Sequence, residues 1–221
     1  MKTFKQFISE NSMPDYFFKT KEEIEEWLST VDDGSFHIII EDDLTLIARG
    51  SPIVFYPYDL INYNDNPEYK VLPVQFKRCN GSFRINSCRL VSLIGCPIGV
   101  EGEFTAFGNP ALTSLEGCPK RASSFDFGET NIKSFKGINK LVDYTAKFFI
   151  PEDYSAGLLS FVLVKGLKQV KARSKTSEVV TEDKPLINAL DILNKHLVGG
   201  RDVIDLQQEL IDSGLKQFAN L

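Results

Sequence analysis

Apolar residues in the middle of this chain return at a spacing longer than any helix or strand period. The string Leu90-Val91-Ser92-Leu93-Ile94-Gly95-Cys96-Pro97 recurs 22 residues later as Leu112-Thr113-Ser114-Leu115-Glu116-Gly117-Cys118-Pro119. A weaker copy, Ile132-Lys133-Ser134-Phe135-Lys136-Gly137-Ile138-Asn139, follows 20 residues on. A second element lies between the copies: Gly81-Ser82-Phe83-Arg84-Ile85, Gly102-Glu103-Phe104-Thr105-Ala106 and Ser124-Phe125-Asp126-Phe127. Its alternation predicts one short strand per unit, with Phe inward. Val74-Gln75-Phe76 opens this strand series. Tyr144-Thr145-Ala146-Lys147-Phe148 and Leu158-Leu159-Ser160-Phe161 close it with degraded spacing.

A unit of about 20 residues cannot bury its own apolar side, so the units must stack. Stacking predicts three interior columns: Phe83, Phe104 and Phe125; Leu90, Leu112 and Ile132; Leu93, Leu115 and Phe135. Gly95, Gly117 and Gly137 mark a backbone turn that needs positive φ. Ser92, Ser114 and Ser134 read as turn hydroxyls bonded to backbone. Residues that alternate with the interior Phe, namely Arg84, Thr105 and Asp126, are expected on the surface as candidate binding determinants.

Helical and strand patterns flank the repeats. Phe4, Phe7 and Ile8 share one face of a short amphipathic segment that Asn11 to Pro14 interrupts. Thr20 and Glu23 have capping-box spacing, and Ile24, Trp27 and Leu28 form the apolar face of a helix that Asp32-Asp33-Gly34 ends. Strand-like runs follow at 36–40, 44–49 and 53–56, then a loop at 57–70. After the repeats, Leu186, Leu190, Leu193 and Leu197 share one helix face, and Val203, Leu206, Leu210 and Ile211 another. The expected architecture is α+β: a short leucine-rich-repeat-like β-solenoid, capped by an N-terminal helix and a C-terminal helical hairpin. Residues 14–60 form the first cap with a β-meander, 61–173 the stack, and 174–221 a linker and the second cap.

Composition narrows the function classes. The chain has 221 residues, a formal charge of -5 and 17 Phe, which fits an aromatic-filled core and gives no global attraction to nucleic acid. No apolar run reaches the roughly 18 residues of a membrane span, and no secretory apolar segment follows the start. Cys79, Cys88, Cys96 and Cys118 include no C-x-x-C pair, and His37 and His196 are the only histidines. A zinc site is not indicated. Cys96, Cys118 and Ile138 occupy equivalent positions, which reads as packing. His37 falls in an apolar strand and His196 near a helix C-terminus, where it complements the dipole. No nucleotide-binding, zinc-protease or serine-hydrolase string is present, so no enzyme, cofactor or metal is predicted. Lys165, Lys168, Lys171, Arg173 and Lys175 make one basic stretch. It can meet phosphates or an acidic partner, with Lys77 and Arg78 as an extension, but it lacks interleaved aromatics for base stacking.

Two resemblances add context. Leu72-Pro73-Val74-Gln75-Phe76, Gly81-Ser82-Phe83, the two Leu-x-Ser-Leu-x-Gly-Cys-Pro strings, the helix at 21–28 and the closing segment at 214–221 resemble the leucine-rich-repeat-like proteins of large tailed bacteriophages. That likeness spans about residues 20–221. The third unit departs from it by lacking Cys-Pro. The first ten residues resemble the capsid-targeting leader of internal head proteins from T-even-type phages. This implies cleavage after Ile8-Ser9-Glu10, leaving Asn11 as the mature N-terminus; the other reading is an amphipathic helix packed on its own domain. The resemblances imply a protein carried in the phage head or acting in the host cytoplasm on a host or phage protein. A structural head component and a nucleic-acid binder are the alternatives.

Overall fold

The computed structural model describes residues 17–31, 37–50, 53–54, 71–173 and 184–220. The leader with Ile8, Glu10 and Asn11, the expected loop at 57–70, the helix stop at 32–34 and Lys175 lie outside these residues. The described chain forms a β-solenoid of about four turns with helices toward both ends.

The early coils contribute a strand to each of two sheets, and the later coils to the second sheet alone. One has four strands in the order β1-β2-β4-β6 (His37–Ile40, Leu46–Arg49, Phe76–Cys79, Gly99–Val100). The other has six, from β10 (Gln169–Arg173) through β9 (Lys147–Pro151), β8 (Ser124–Asp126), β7 (Glu103–Thr105) and β5 (Phe83–Arg84) to β3 (Ile53–Val54). Among the described strands only β1 runs antiparallel, in a hairpin with β2. The ladder continues around the bend between sheets: Glu101 N–H donates to Cys79 O, Gly102 N–H to Gly81 O, and Ser123 N–H to Gly102 O. Each coil thereby satisfies the backbone of the next.

The Phe column sets the register. Phe83 pairs with Phe104, Phe104 with Phe125, Phe125 with Phe148, and Phe148 with Val170. Successive ring centroids lie 6.2, 5.8 and 5.5 Å apart, and all four Phe are essentially fully buried. The Leu90/Leu112/Ile132 and Leu93/Leu115/Phe135 columns are buried as expected. Gly95, Gly117 and Gly137 have φ of 94°, 85° and 76°. Ser92, Ser114 and Ser134 each accept from the N–H two residues on, at 3.1–3.2 Å. One residue unmarked by the repeat supports the turn next to the strand. Buried Asn109 donates to Ile85 O and Ala106 O at 2.8 Å and accepts from Leu90 N–H at 3.0 Å, tying two coils together.

Three expectations change. Phe76 does not open the Phe83 series; it starts β4 in the other sheet, because its coil carries two strands, β4 and β5, rather than one. Leu158 to Phe161 is not a strand: Leu159–Leu163 is a 3₁₀ turn equivalent to the Leu-x-Ser-Leu segments. Residues 46–54 do not continue a meander, since β2 and β3 run parallel to β4 and β5 as the first coil.

The ends are closed by helices. In α1 (Lys21–Val31), Thr20 N–H donates to Glu23 at 3.0 Å and Glu23 N–H to Thr20 Oγ1 at 3.2 Å, a reciprocal cap. Ile24 and Trp27 join the core. At the other end stand α3 (Lys184–Gly199) and α4 (Val203–Asp212); α2 is the short helix Ile138–Leu141. Leu186, Ala189 and Leu193 are fully buried. Among the described strands β10 ends the six-stranded sheet, and Asn194 on α3 offers its edge what a further strand would. Its Oδ1 accepts from Val170 N–H at 2.7 Å and its Nδ2 donates to Val170 O at 2.9 Å. The Arg201 guanidinium donates to Val164 O at 2.7 Å and also to Leu167 O.

Replacing Asn194 by Ala strands both Val170 groups beneath α3. The expected loss is about 1–3 kcal/mol in urea unfolding, against less than about 0.5 kcal/mol for Asn188→Ala on the exposed side of the same helix.

Candidate functional site: the outer face of the six-stranded sheet

Side chains that alternate with the interior Phe column cover the outer face of the six-stranded sheet. The pairings align Arg84, Thr105, Asp126, Phe149 and Lys171 in one row. Glu103, Ser124, Lys147 and Gln169 form the row beside it.

The three residues expected as surface determinants do not share one environment. Arg84 is half-exposed and 3.5 Å from Glu103. Thr105 is only 9% exposed and Asp126 3%. The expectation of exposure fails for both, because bulky neighbours close over the middle of the row. Arg173, 47 residues beyond Asp126, reaches back across Gly128 and pairs with the Asp126 carboxylate. Its guanidinium also sits 5.0 Å from the Phe107 ring centroid and 5.6 Å from that of Phe149, a cation held by two rings and a carboxylate. Gly128 N–H donates to Asp126 Oδ1 at 3.0 Å. Burial pushes the Asp126 carboxyl above the ordinary Asp value of 3.8, and the Gly128 bond and Arg173 counter this only in part.

The basic stretch divides. Lys171 and Arg173 lie on this face, with Arg173 engaged by Asp126. Exposed Lys165 precedes the bend, where Thr145 N–H donates to its carbonyl at 3.2 Å. Lys168 is exposed between them. Lys77 and Arg78 do not extend the stretch: both lie in β4 of the four-stranded sheet, where Lys77 pairs with Glu41 and Arg78 Nε donates to Asn80 at 2.7 Å. Phe107, Lys147 and Phe149 belong to the site without having stood out in the sequence. Their only signal there is one position of alternation from Ala106, Phe148 and Ile150.

A groove of about 450 Å³ adjoins the strand ends, with the carboxylates of Glu129, Glu152 and Asp153 in its lining. Lys133 neutralises Asp153 at 2.7 Å. Among the described residues no group of three or more His, Cys, Asp or Glu is placed to hold a metal ion. All four cysteines are free. Burial raises the Cys79 thiol to about 11 and pushes Cys96 and Cys118 up further, which suits packing and not thiolate chemistry. His37 is exposed on the edge strand β1, and His196 Nε2 lies 2.8 Å from Glu209 between α3 and α4.

Because its folded-state pKa is raised, the Asp126 contribution to stability is greatest below the unfolded value and declines as pH rises through the folded value. Asp126→Asn is expected to remove that decline, seen as a flatter stability profile in urea melts as pH rises above the ordinary Asp value of 3.8. Arg173→Gln leaves the carboxylate without its cation. It is expected to destabilise by about 1–3 kcal/mol at neutral pH and by less once Asp126 is protonated. Comparisons with protein-family models, curated proteins and solved structures return no match, so the site is interpreted from its own geometry.

Proposed function

We propose that this chain is a protein–protein interaction module of a large tailed bacteriophage, carried in the head and delivered with the DNA to act on a host protein. The observation that carries the interaction reading is the outer face just described. It offers half-exposed aromatic surface at Phe107 and Phe149, an Arg fixed between them, and flanking Arg84, Glu103, Lys147 and Lys171. Aromatic and Arg anchors surrounded by mixed charge are the composition of protein-binding hot spots. Short parallel strands hold these side chains on a rigid frame, so little ordering is needed on binding. The phage setting rests on the sequence resemblances, and the head-delivery step on the leader.

The reading is tested with the full chain as bait in host lysate, alongside an Arg84→Glu/Phe149→Ala/Lys171→Glu variant and a Lys216→Gln control. A host protein captured by wild type and control but lost by the face variant is the expected result. Capture of phage capsid proteins instead, with virion copy number matching the shell lattice, would reassign the chain to head structure. Sequencing of virion-derived protein is expected to begin at Asn11; an intact Met1 would remove the delivery step.

A further inference from the structure

The basic stretch separates in three dimensions, but the coil register gathers a different set of cations on the four-stranded side. Arg78 pairs with Gly99. Val100 N–H donates to Arg121 O at 3.0 Å, which sets Arg121 beside Gly99, and the Arg121 stem covers the bare Cα there. Arg121 bridges Tyr144 in parallel, and Thr145 N–H donates to Lys165 O at 3.2 Å. Arg78, Arg121, Tyr144 and Lys165 therefore stand in one row across successive coils. The steps are about 4.8 Å, with Gly99 filling the one between the two arginines.

This row is open. All four side chains are exposed, Tyr144 at 51%. Lys120, beside Arg121, is exposed as well. None of Arg78, Lys120, Arg121 and Lys165 forms an ion pair among the described residues. Exposed Glu101 and Asp143 stand two residues after Gly99 and one before Tyr144, two acids against four cations. The Tyr144 ring rests on Gly166: a Cβ there would lie 2.2–2.8 Å from three of the ring atoms. Backbone supports the ring from beneath while half of the residue faces solvent. The interleaved aromatic that the linear basic stretch lacked is supplied here by a residue 21 positions before Lys165.

We propose that this row binds single-stranded nucleic acid, with an unpaired base stacked on Tyr144 and backbone phosphates on Arg121 and Lys165, and on Arg78 further along. A supported aromatic between cations is the arrangement that holds single strands without reading sequence. An acidic peptide would use the cations but have no need of the ring. Duplex DNA would offer the ring no unpaired base. The site lies on a different side of the coils from the Phe107–Arg173–Phe149 face, so it stands or falls independently of the protein-binding reading.

The test is fluorescence anisotropy of the full chain with labelled oligo-dT of about 15 nucleotides, starting near 50 mM salt. Tyr144→Ala is expected to weaken binding about tenfold, and Tyr144→Phe to restore it. Arg121→Gln with Lys165→Gln is expected to reduce the slope of log affinity against log salt by about 1.4, roughly 0.7 for each lost phosphate contact. Lys216→Gln should change nothing, and circular dichroism checks that each variant is folded. Three results would overturn the proposal: no binding at low salt, equal binding by a folded Tyr144→Ala protein, or displacement of the DNA by an equimolar oligo-glutamate peptide.

Discussion

The structure depends on one alignment: Phe83, Phe104, Phe125 and Phe148 meet in a single interior column while their backbones pair strand to strand. Each ring excludes water only because the next coil covers it, and each strand is satisfied only because the next strand lies beside it. The apolar and hydrogen-bonding demands share one register. A slip of one residue would turn Arg84, Thr105, Asp126 and Phe149 inward and the rings outward. Buried Asn109, at the turn next to the strand, and the positive-φ turns at Gly95, Gly117 and Gly137 reinforce the same alignment.

A stack held this way has an inherent weakness at its ends, where a strand meets no successor. The C-terminal helices answer with apolar cover from Leu186, Ala189 and Leu193 and with polar groups placed as a further strand would place them. Asn194 supplies one amide's donor and acceptor to Val170, and Arg201 meets carbonyls of the last coil. At the other end, the β1–β2 hairpin changes strand direction and ends the parallel series. The same repetition that creates the edges also creates rows of outward side chains at strand spacing. Distant residues such as Arg121, Tyr144 and Lys165 become neighbours through it.

Much of this was legible in the sequence because repetition exposes it. Phe83, Phe104 and Phe125 could be superposed from spacing alone, and Thr20 and Glu23 carry a local capping signal that needs no tertiary information. The four-stranded sheet was only partly legible: the runs at 36–40 and 44–49 mark β1 and β2, but nothing marks β4 and β6 as their continuation. Gly99–Val100 is two residues long and Phe76–Cys79 four, too short for alternation to show. The site was harder still. Alternation puts Asp126 on the outer face, but its burial depends on Arg173, 47 residues away, and on rings from two other coils. The lysines from 165 to 171 read as one patch because sequence adjacency hides the bend between the two sheets.

Two distinct outward faces thus follow from a single interior constraint, one with an Arg clasped by aromatics and one with a tyrosine between cations. Both are meaningful only if the coils are in the register described. The most direct measurement is the pattern of backbone NOEs between strands in solution, with selectively labelled Phe. The account predicts parallel cross-strand contacts linking Phe83 to Phe104, Phe104 to Phe125, and Phe125 to Phe148 in unbroken series. Contacts from Phe104 to Asp126 in place of Phe125, or an antiparallel pattern anywhere in that series, would contradict it.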